Sequence, residues 1–469
     1  MQKKKKNIIL ENIKLLSAGA KGVSVGKTED GKTILVKGAV PGDLVNARVK
    51  KSKKNYIEAE AVEIIEYSPY RVDARCKHFG VCGGCKWQDL SYEMQLQFKQ
   101  DEVVNNIRRI GGIQDFKIFP ILGSEEQYNY RNKMEFSFSN ARWLTLEEVN
   151  STEEISERNA LGFHIPGQWS KILDLEECFL QEEPSNEIRL AVKQYALEHN
   201  LAFYDVRNQE GFLRTLMLRQ NSKGEWMVLI QLYEENEVER VKLLDFLLQK
   251  FSAIKTLLYA INPKGNDSVY DLDIQTYYGE GFLYEEMDGL KFKIGPKSFF
   301  QTNYKQALEL YRKTLEFAEI QPDHVVYDLY TGTGTIAQYV ARNAKQVIGI
   351  EAVQEAIDAA KEHAALNGLD NCTFYCGDMK DIFNEEFLAT HPKADVLITD
   401  PPRDGMHAKV VEQILNLSPE RIVYVSCNSA TQARDLDMLK ETYQLVKILP
   451  VDMFPQTHHV ENIALLIKK

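Results

Sequence analysis

Cys427 ends the apolar run Ile422–Val423–Tyr424–Val425–Ser426, Asp400 opens Asp400-Pro401-Pro402-Arg403 after the run Val396 to Thr399, and Glu461 stands just before Ile463 to Ile467. A thiolate is the soft nucleophile that adds to an electron-poor carbon, and a carboxylate within hydrogen-bond reach is the base that removes a proton afterwards. Ligands of open α/β sheets gather at the carboxyl ends of the strands, so three strand-end groups are expected on one rim. Taken singly, Cys427 could be a buried inert thiol and Asp-Pro-Pro a plain turn.

A glycine loop accompanies them. Asp328-Leu329-Tyr330-Thr331-Gly332-Thr333-Gly334-Thr335 follows the apolar Val325-Val326-Tyr327 and precedes a helical stretch, Ile336 to Arg342. Glycines let backbone approach a ligand, and Glu351, at the end of the next strand, could hold a ribose diol. A dinucleotide loop wants a third glycine where this chain has Ala337, an exchange that is sometimes accepted. The carboxylates Asp328, Glu351, Asp378 and Asp400 would repel a pyrophosphate and suit the cationic sulfonium of S-adenosylmethionine. NAD and a structural turn are the alternatives.

Thiol, carboxylates and methyl donor together match the methylation of uracil C5. That carbon is too weak a nucleophile until a thiolate adds at C6. Cys427 is the expected nucleophile and Glu461 the base for the C5 proton; Asp400 could accept from uracil N3–H, and Arg403 could donate to an enolate oxygen or a phosphate.

A second cluster of chemistry lies earlier. Cys76, Cys82 and Cys85 give C-x5-C-x2-C, and Cys178 is a plausible fourth ligand. Four thiolates suit zinc or an iron–sulfur cluster; three close cysteines and one remote favour 4Fe-4S.

The elements that position these groups follow from periodicity. From Asn7 to Ile65 short apolar stretches alternate with turns at Asp30-Gly31 and Pro41-Gly42, the pattern of a small antiparallel barrel. Tyr92 to Ile110 reads as a long amphipathic helix through Met94, Leu96, Phe98, Val103, Val104 and Ile107. Residues 114–285 mix strand-like alternation at Met134, Phe136 and Phe138 with helical stretches such as Asn186 to Glu198, an α+β module. Beyond it, repeated strand-then-helix units predict an open, mostly parallel sheet.

Composition bounds the function classes. The chain has 469 residues, 44% hydrophobic and 27% charged, which excludes a disulfide-stapled scaffold and a disordered chain. The net charge is −11, yet residues 1–60 hold 14 Lys and Arg, among them Lys3, Lys4, Lys5 and Lys6, against 6 Asp and Glu. A basic end on an acidic body suits a phosphate-binding arm. No apolar run is long enough for a signal-peptide core or a bilayer span, so a cytoplasmic protein without membrane attachment is expected.

These motifs resemble, over nearly the whole length, the TRAM-containing RNA uracil-5-methyltransferases of the RumA/RlmD type. Val40-Pro41-Gly42-Asp43 is similar to the TRAM barrel, an OB-like RNA-binding module; Cys76 to Cys85 looks like the cluster motif, though its x5 spacing is one residue shorter than the RumA-type x6; Tyr130-Arg131-Asn132-Lys133 looks like the central RNA-handling segment. Phe299 to Asn303, Asp328 to Gly334, Asp400 to Arg403, Ser426-Cys427-Asn428 and Val460-Glu461-Asn462 stand where the catalytic motifs would. The resemblance implies S-adenosylmethionine contacts from Gln301, Tyr330, Thr335, Glu351, Asp378 and Asp400, substrate contacts from Asp400, Arg403 and Arg131, catalysis by Cys427 and Glu461, and a 4Fe-4S cluster on Cys76, Cys82, Cys85 and Cys178. It implies a TRAM β-barrel over 1–66, a central iron–sulfur and RNA-binding α+β module over 67–88 and 114–285, and a Rossmann-like α/β class I methyltransferase domain over 89–113 and 286–469. Relatives acting on transfer RNA generally lack barrel and cluster, so a monomer acting on 23S ribosomal RNA is expected.

Overall fold

The computed structural model describes residues 8–152 and 155–469. Lys3 to Lys6 lie outside the described residues. The chain forms two compact units: Met1–Gly80 with Gly84–Gln127 and Phe383–Lys469, and Val81–Gly83 with Tyr128–Ile382.

In chain order the strands are β1 Ile9–Gly19, β2 Val23–Lys27, β3 Thr33–Lys37, β4 Leu44–Ser52, β5 Tyr56–Glu66, β6 Lys117–Ile118, β7 Lys133–Ser139, β8 Ala160–Ile165, β9 Gln168–Asp174, β10 Leu213–Gln220, β11 Trp226–Leu232, β12 Ile254–Ile261, β13 Ile274–Tyr278, β14 Leu283–Met287, β15 Leu290–Ile294, β16 Val325–Leu329, β17 Gln346–Glu351, β18 Cys372–Cys376, β19 Val396–Thr399, β20 Arg421–Ser426, β21 Tyr443–Val451 and β22 Glu461–Lys468.

In the first unit, β1 to β5 close a barrel in the order β1-β2-β3-β5-β4. Alternation decides the inside: Ile13, Leu15, Ile34, Val36, Val45, Ala47 and Ala59 fill it. The expectation of an all-antiparallel barrel is corrected at one seam, because β3 and β5 pair in parallel. Closure puts the last strand between β3 and β4, so sequence neighbours are not all spatial neighbours. Buried Asp43 latches the barrel to the next segment: its carboxylate accepts the Val40 and Ser68 amides at 2.8 Å each and a fork from the Arg71 guanidinium at 3.0 and 2.8 Å.

The helix Tyr92–Arg109 matches the predicted span, but its buried face includes Gln95 and Lys99 as well as Phe98, Val103, Val104 and Ile107. The same unit holds strands in the order β19-β20-β22-β21-β6. β19 and β20 are parallel, β22 runs antiparallel to both β20 and β21, and β6 pairs with β21. That last pairing places Lys117 and Ile118 with the C-terminal strands, although the sequence reading starts the central module at 114.

In the second unit a seven-stranded sheet runs β13-β12-β11-β10-β7-β8-β9. Met134, Phe136 and Phe138 of β7 face a core that also takes Ile188, Val192 and Ala196 of the helix Ser185–Glu198. β14 and β15 make a hairpin. β16, β17 and β18 pair in parallel, separated by the helices Thr335–Ala341 and Gln354–Leu366.

Candidate active site

The glycine loop leaves β16 in the second unit. Gly332 and Gly334 have φ of +56° and +76°, conformations that L side chains rarely adopt. Their surroundings differ. A Cβ on Gly332 would meet nothing within 4 Å, whereas one on Gly334 would lie 2.9 Å from the Ala360 Cβ and 3.1 Å from Phe374 Cζ. Gly334 therefore packs the loop down and Gly332 leaves its upper side open to a ligand.

Tyr330 also sits in the left-handed region at φ +61°, a conformation a bulky residue holds only when its surroundings impose it. Thr335 is buried at the start of the helix.

Glu351 ends β17 and ties the loop to it. One carboxylate oxygen accepts the Gly332 amide at 3.1 Å and the other accepts Ala352 and Val353 at 2.7 and 3.1 Å, leaving acceptor capacity for a ribose diol. Asp328 has a different part from the one its position suggests. Burial pushes its carboxyl up to about 7, and it accepts the Thr331 hydroxyl at 2.5 Å, so it braces the loop from within. Asp378 is exposed after β18, and Lys380 Nζ donates to it at 2.7 Å.

Two quoted motifs meet in this unit. The Asn132 amide donates to Thr302 O at 2.7 Å and its side chain to Gln301 O at 3.0 Å, so the Tyr130–Lys133 segment fixes the backbone that presents Gln301. Arg131 is half-buried, and its amide donates to Leu180 O at 2.8 Å. Arg219, buried on β10, donates to Gly295 O and Ser298 O at 3.1 and 3.0 Å and supports the same stretch.

In the first unit, sheet register brings the reactive groups together. Val425 pairs with Ile463 and Ser426 with Asn462 across antiparallel β20 and β22. Cys427 directly follows β20 and Glu461 directly precedes Asn462, so both stand at this end of the sheet. Parallel pairing of Thr399 with Tyr424 ends β19 beside them, and Asp400 follows it directly. Asn428 donates to Arg403 O at 2.8 Å, fastening the residue after the thiol to the Asp400–Arg403 turn. Behind the site Asn462 donates to Gln432 at 2.7 Å, and Gln432 donates to Tyr424 O at 2.9 Å.

Burial raises the Cys427 thiol to about 11, Glu461 and Asp400 push it the same way, and Arg403 opposes them. Burial and Asp400 hold the Glu461 carboxyl well above the usual carboxylate range, again with Arg403 opposing. A thiol and a carboxyl that are both raised by burial and by neighbouring carboxylates mark a perturbed cluster of the kind found at functional sites.

Cys76, Cys82, Cys85 and Cys178 are not in disulfides and are partly buried. Their backbones are held locally: the Cys76 amide donates to Gln88 at 3.0 Å and the Cys178 amide to Asn186 at 2.8 Å. Among the described residues no group of three or more His, Cys, Asp or Glu is arranged to hold a metal ion.

The sequence reading missed Thr331, Arg219, Gln432 and the side-chain part of Asn132. A charge inside the apolar run Leu213 to Leu218 and its continuation is the one signal that pointed to Arg219.

Comparison with known proteins agrees with this geometry. Residues 273–469 match the family model described as tRNA (Uracil-5-)-methyltransferase, and residues 12–62 match the TRAM domain. An "Uncharacterized RNA methyltransferase" of Bacteroides thetaiotaomicron is 52% identical over 95% of this chain and 99% of its own, and one of Porphyromonas gingivalis is 48% identical over 97% and 99%. The crystal structure of Pyrococcus abyssi tRNA (uracil-54, C5)-methyltransferase in complex with S-adenosyl-L-homocysteine aligns with a TM-score of 0.73 at 28% identity, covering 97% of this chain and 100% of that one. The chain therefore belongs to the S-adenosylmethionine-dependent RNA (uracil-5-)-methyltransferases, in the form that carries a TRAM domain.

Proposed function

We propose that the protein methylates C5 of a uridine in 23S ribosomal RNA through a covalent Cys427–uracil adduct, acting as a monomer in the cytoplasm. The observation that supports the mechanism is the pairing of Ser426 with Asn462 and of Thr399 with Tyr424, whose chain neighbours are Cys427, Glu461 and Asp400. The Cys427 thiol gives up its proton to solvent and its sulfur bonds C6, moving the C5–C6 π pair into an enolate over C5, C4 and O4. Asp400 accepts from N3–H, which selects uracil over cytosine, and Arg403 donates to the enolate. When bound, S-adenosylmethionine would supply an electrophilic methyl group for C5, with S-adenosylhomocysteine as the leaving group. Glu461 then removes the C5 proton, the C5–C6 double bond re-forms, and the thiolate leaves.

The loop residues fit that cofactor. Gly332 leaves open space, and Glu351 keeps acceptor capacity beside it. Gln301, Tyr330, Thr335 and Asp378 would complete its contacts.

The donor chemistry of Cys76, Cys82, Cys85 and Cys178 would suit a 4Fe-4S cluster, although no three of them are arranged to hold a metal ion among the described residues. Protein prepared anaerobically is expected to contain iron and sulfide and to lose its colour in Cys82→Ser. One equivalent of zinc with neither iron nor sulfide would contradict the cluster.

Transfer RNA is the second reading, because the Pyrococcus abyssi enzyme named for it spans the same length as this chain, barrel region included. The whole-length architecture therefore does not choose between the two RNAs.

Intact-mass analysis of variants incubated with RNA and methyl donor tests the mechanism. Glu461→Gln is expected to accumulate a methylated protein–RNA adduct, and Cys427→Ala to form none. Normal turnover by Cys427→Ala would overturn it.

A further inference from the structure

Nine residues, 452–460, connect β21 to the base Glu461. This connection is bolted to the helix Tyr92–Arg109 by polar groups taken wholly out of solvent. Lys99 donates to Asp452 at 2.6 Å and to Phe454 O at 3.2 Å, and both side chains of the ion pair have zero exposure. Tyr92 donates to the other Asp452 oxygen at 2.8 Å, and the Phe454 amide donates to Asp452 at 3.1 Å. One turn earlier on the helix, Gln95 and Gln456 exchange bonds: Gln95 Nε2 donates to Gln456 Oε1, and the Gln456 amide donates to Gln95 Oε1, each at 3.0 Å.

Two further observations give this network a purpose. Gln456 is held at φ +66°, so the connection is kept in a conformation a free loop would abandon. Its carbonyl accepts the amides of Lys86 and Trp87 at 2.8 and 3.1 Å, directly after Cys85, so the cysteine segment grips the same point. A buried ion pair adds little stability over apolar residues of equal volume, and its best-attested benefit is to select one arrangement. Polar residues spent here select the path of the chain into Glu461.

We propose that Gln95 and Lys99, through Gln456 and Asp452, are positioning residues that aim Glu461 at the C5 proton, and that the segment following Cys85 acts on catalysis through the same contact. This rests on the reading of Glu461 as the base. Neither side chain is given a contact with substrate; they act at the elimination half of the reaction and leave addition and methyl transfer alone.

The test uses the full-length protein as Gln95→Met and as the volume-matched neutral pair Lys99→Met with Asp452→Asn, which removes both charges of the ion pair together, and circular dichroism checks that each variant is folded. Wild type and Glu461→Gln are run beside them, and adduct formation and decay are followed by intact mass with RNA and methyl donor. Adduct formation and both KM values are expected to stay within about twofold of wild type, while elimination slows at least about tenfold, part of what a general base contributes. Methylated adduct then accumulates, as in Glu461→Gln. A merely structural role would instead lower formation and elimination together and build up no adduct. Wild-type elimination, or parallel loss of both steps, in the folded neutral pair overturns the positioning role while an adduct in Glu461→Gln leaves the base in place. Absence of adduct in Glu461→Gln itself overturns the base assignment, and the positioning role with it.

Discussion

Arg403 counters the burial and the carboxylates that raise Cys427 and Glu461. The Cys427 thiol is pushed up to about 11, and adduct formation needs its sulfur deprotonated. The rate of adduct formation should therefore climb from pH 6 to pH 9. Removing the cation makes both anions costlier, so Arg403→Met should move the climbing limb to higher pH; stopped-flow formation rates across that range give the answer, and an unmoved or acid-shifted limb would contradict the role. The strand-end places of Cys427, Asp400 and Glu461 were legible in the sequence because each adjoins a local apolar run. Gln432 and Asn132 were not, since their partners lie 30 and 169 residues away and nothing local marks the pairing.

At the scale of elements, the glycine loop shows why a motif is more specific than its spacing. Gly332 and Gly334 read alike in sequence, yet one faces open space and the other faces Ala360 and Phe374. Gly334→Ala adds a Cβ where there is no room and forces an unfavourable φ, a change expected to cost about 1–3 kcal/mol in thermal or denaturant unfolding. It should also weaken S-adenosylmethionine binding, which calorimetry reads directly; unchanged stability and affinity would mean that the loop is held by other contacts. Strand periodicity made the barrel and the parallel strands legible, since alternation of Ile34 and Val36 or of Val45 and Ala47 is local information. The parallel β3–β5 seam and the placement of Lys117 and Ile118 beside β21 are decided by closure and long-range pairing. Lys99 and Gln95 escaped for a related reason: a polar residue on a helix reads as solvent-facing until its buried partner, over 350 residues on, is known.

For the whole molecule, an acidic chain of net charge −11 whose residues 1–60 hold 14 Lys and Arg against 6 Asp and Glu suits an arm for phosphates on a body that is not generally sticky to RNA. The family is shown by relatives matching over almost the full length, but the RNA itself is not written in any single side chain, because selection of one uridine depends on the shape of the folded RNA around it. The central claim is that this chain installs 5-methyluridine by way of Cys427. The most direct measurement is a map of 5-methyluridine across all cellular RNAs in cells that carry the wild-type protein, the Cys427→Ala variant, or neither. The account predicts that one or two 23S ribosomal positions lose the modification when the protein is absent, regain it with wild type, and stay unmodified with Cys427→Ala. Loss confined to transfer RNA would move the substrate to the second reading, and an unchanged map, or full restoration by Cys427→Ala, would contradict the claim itself.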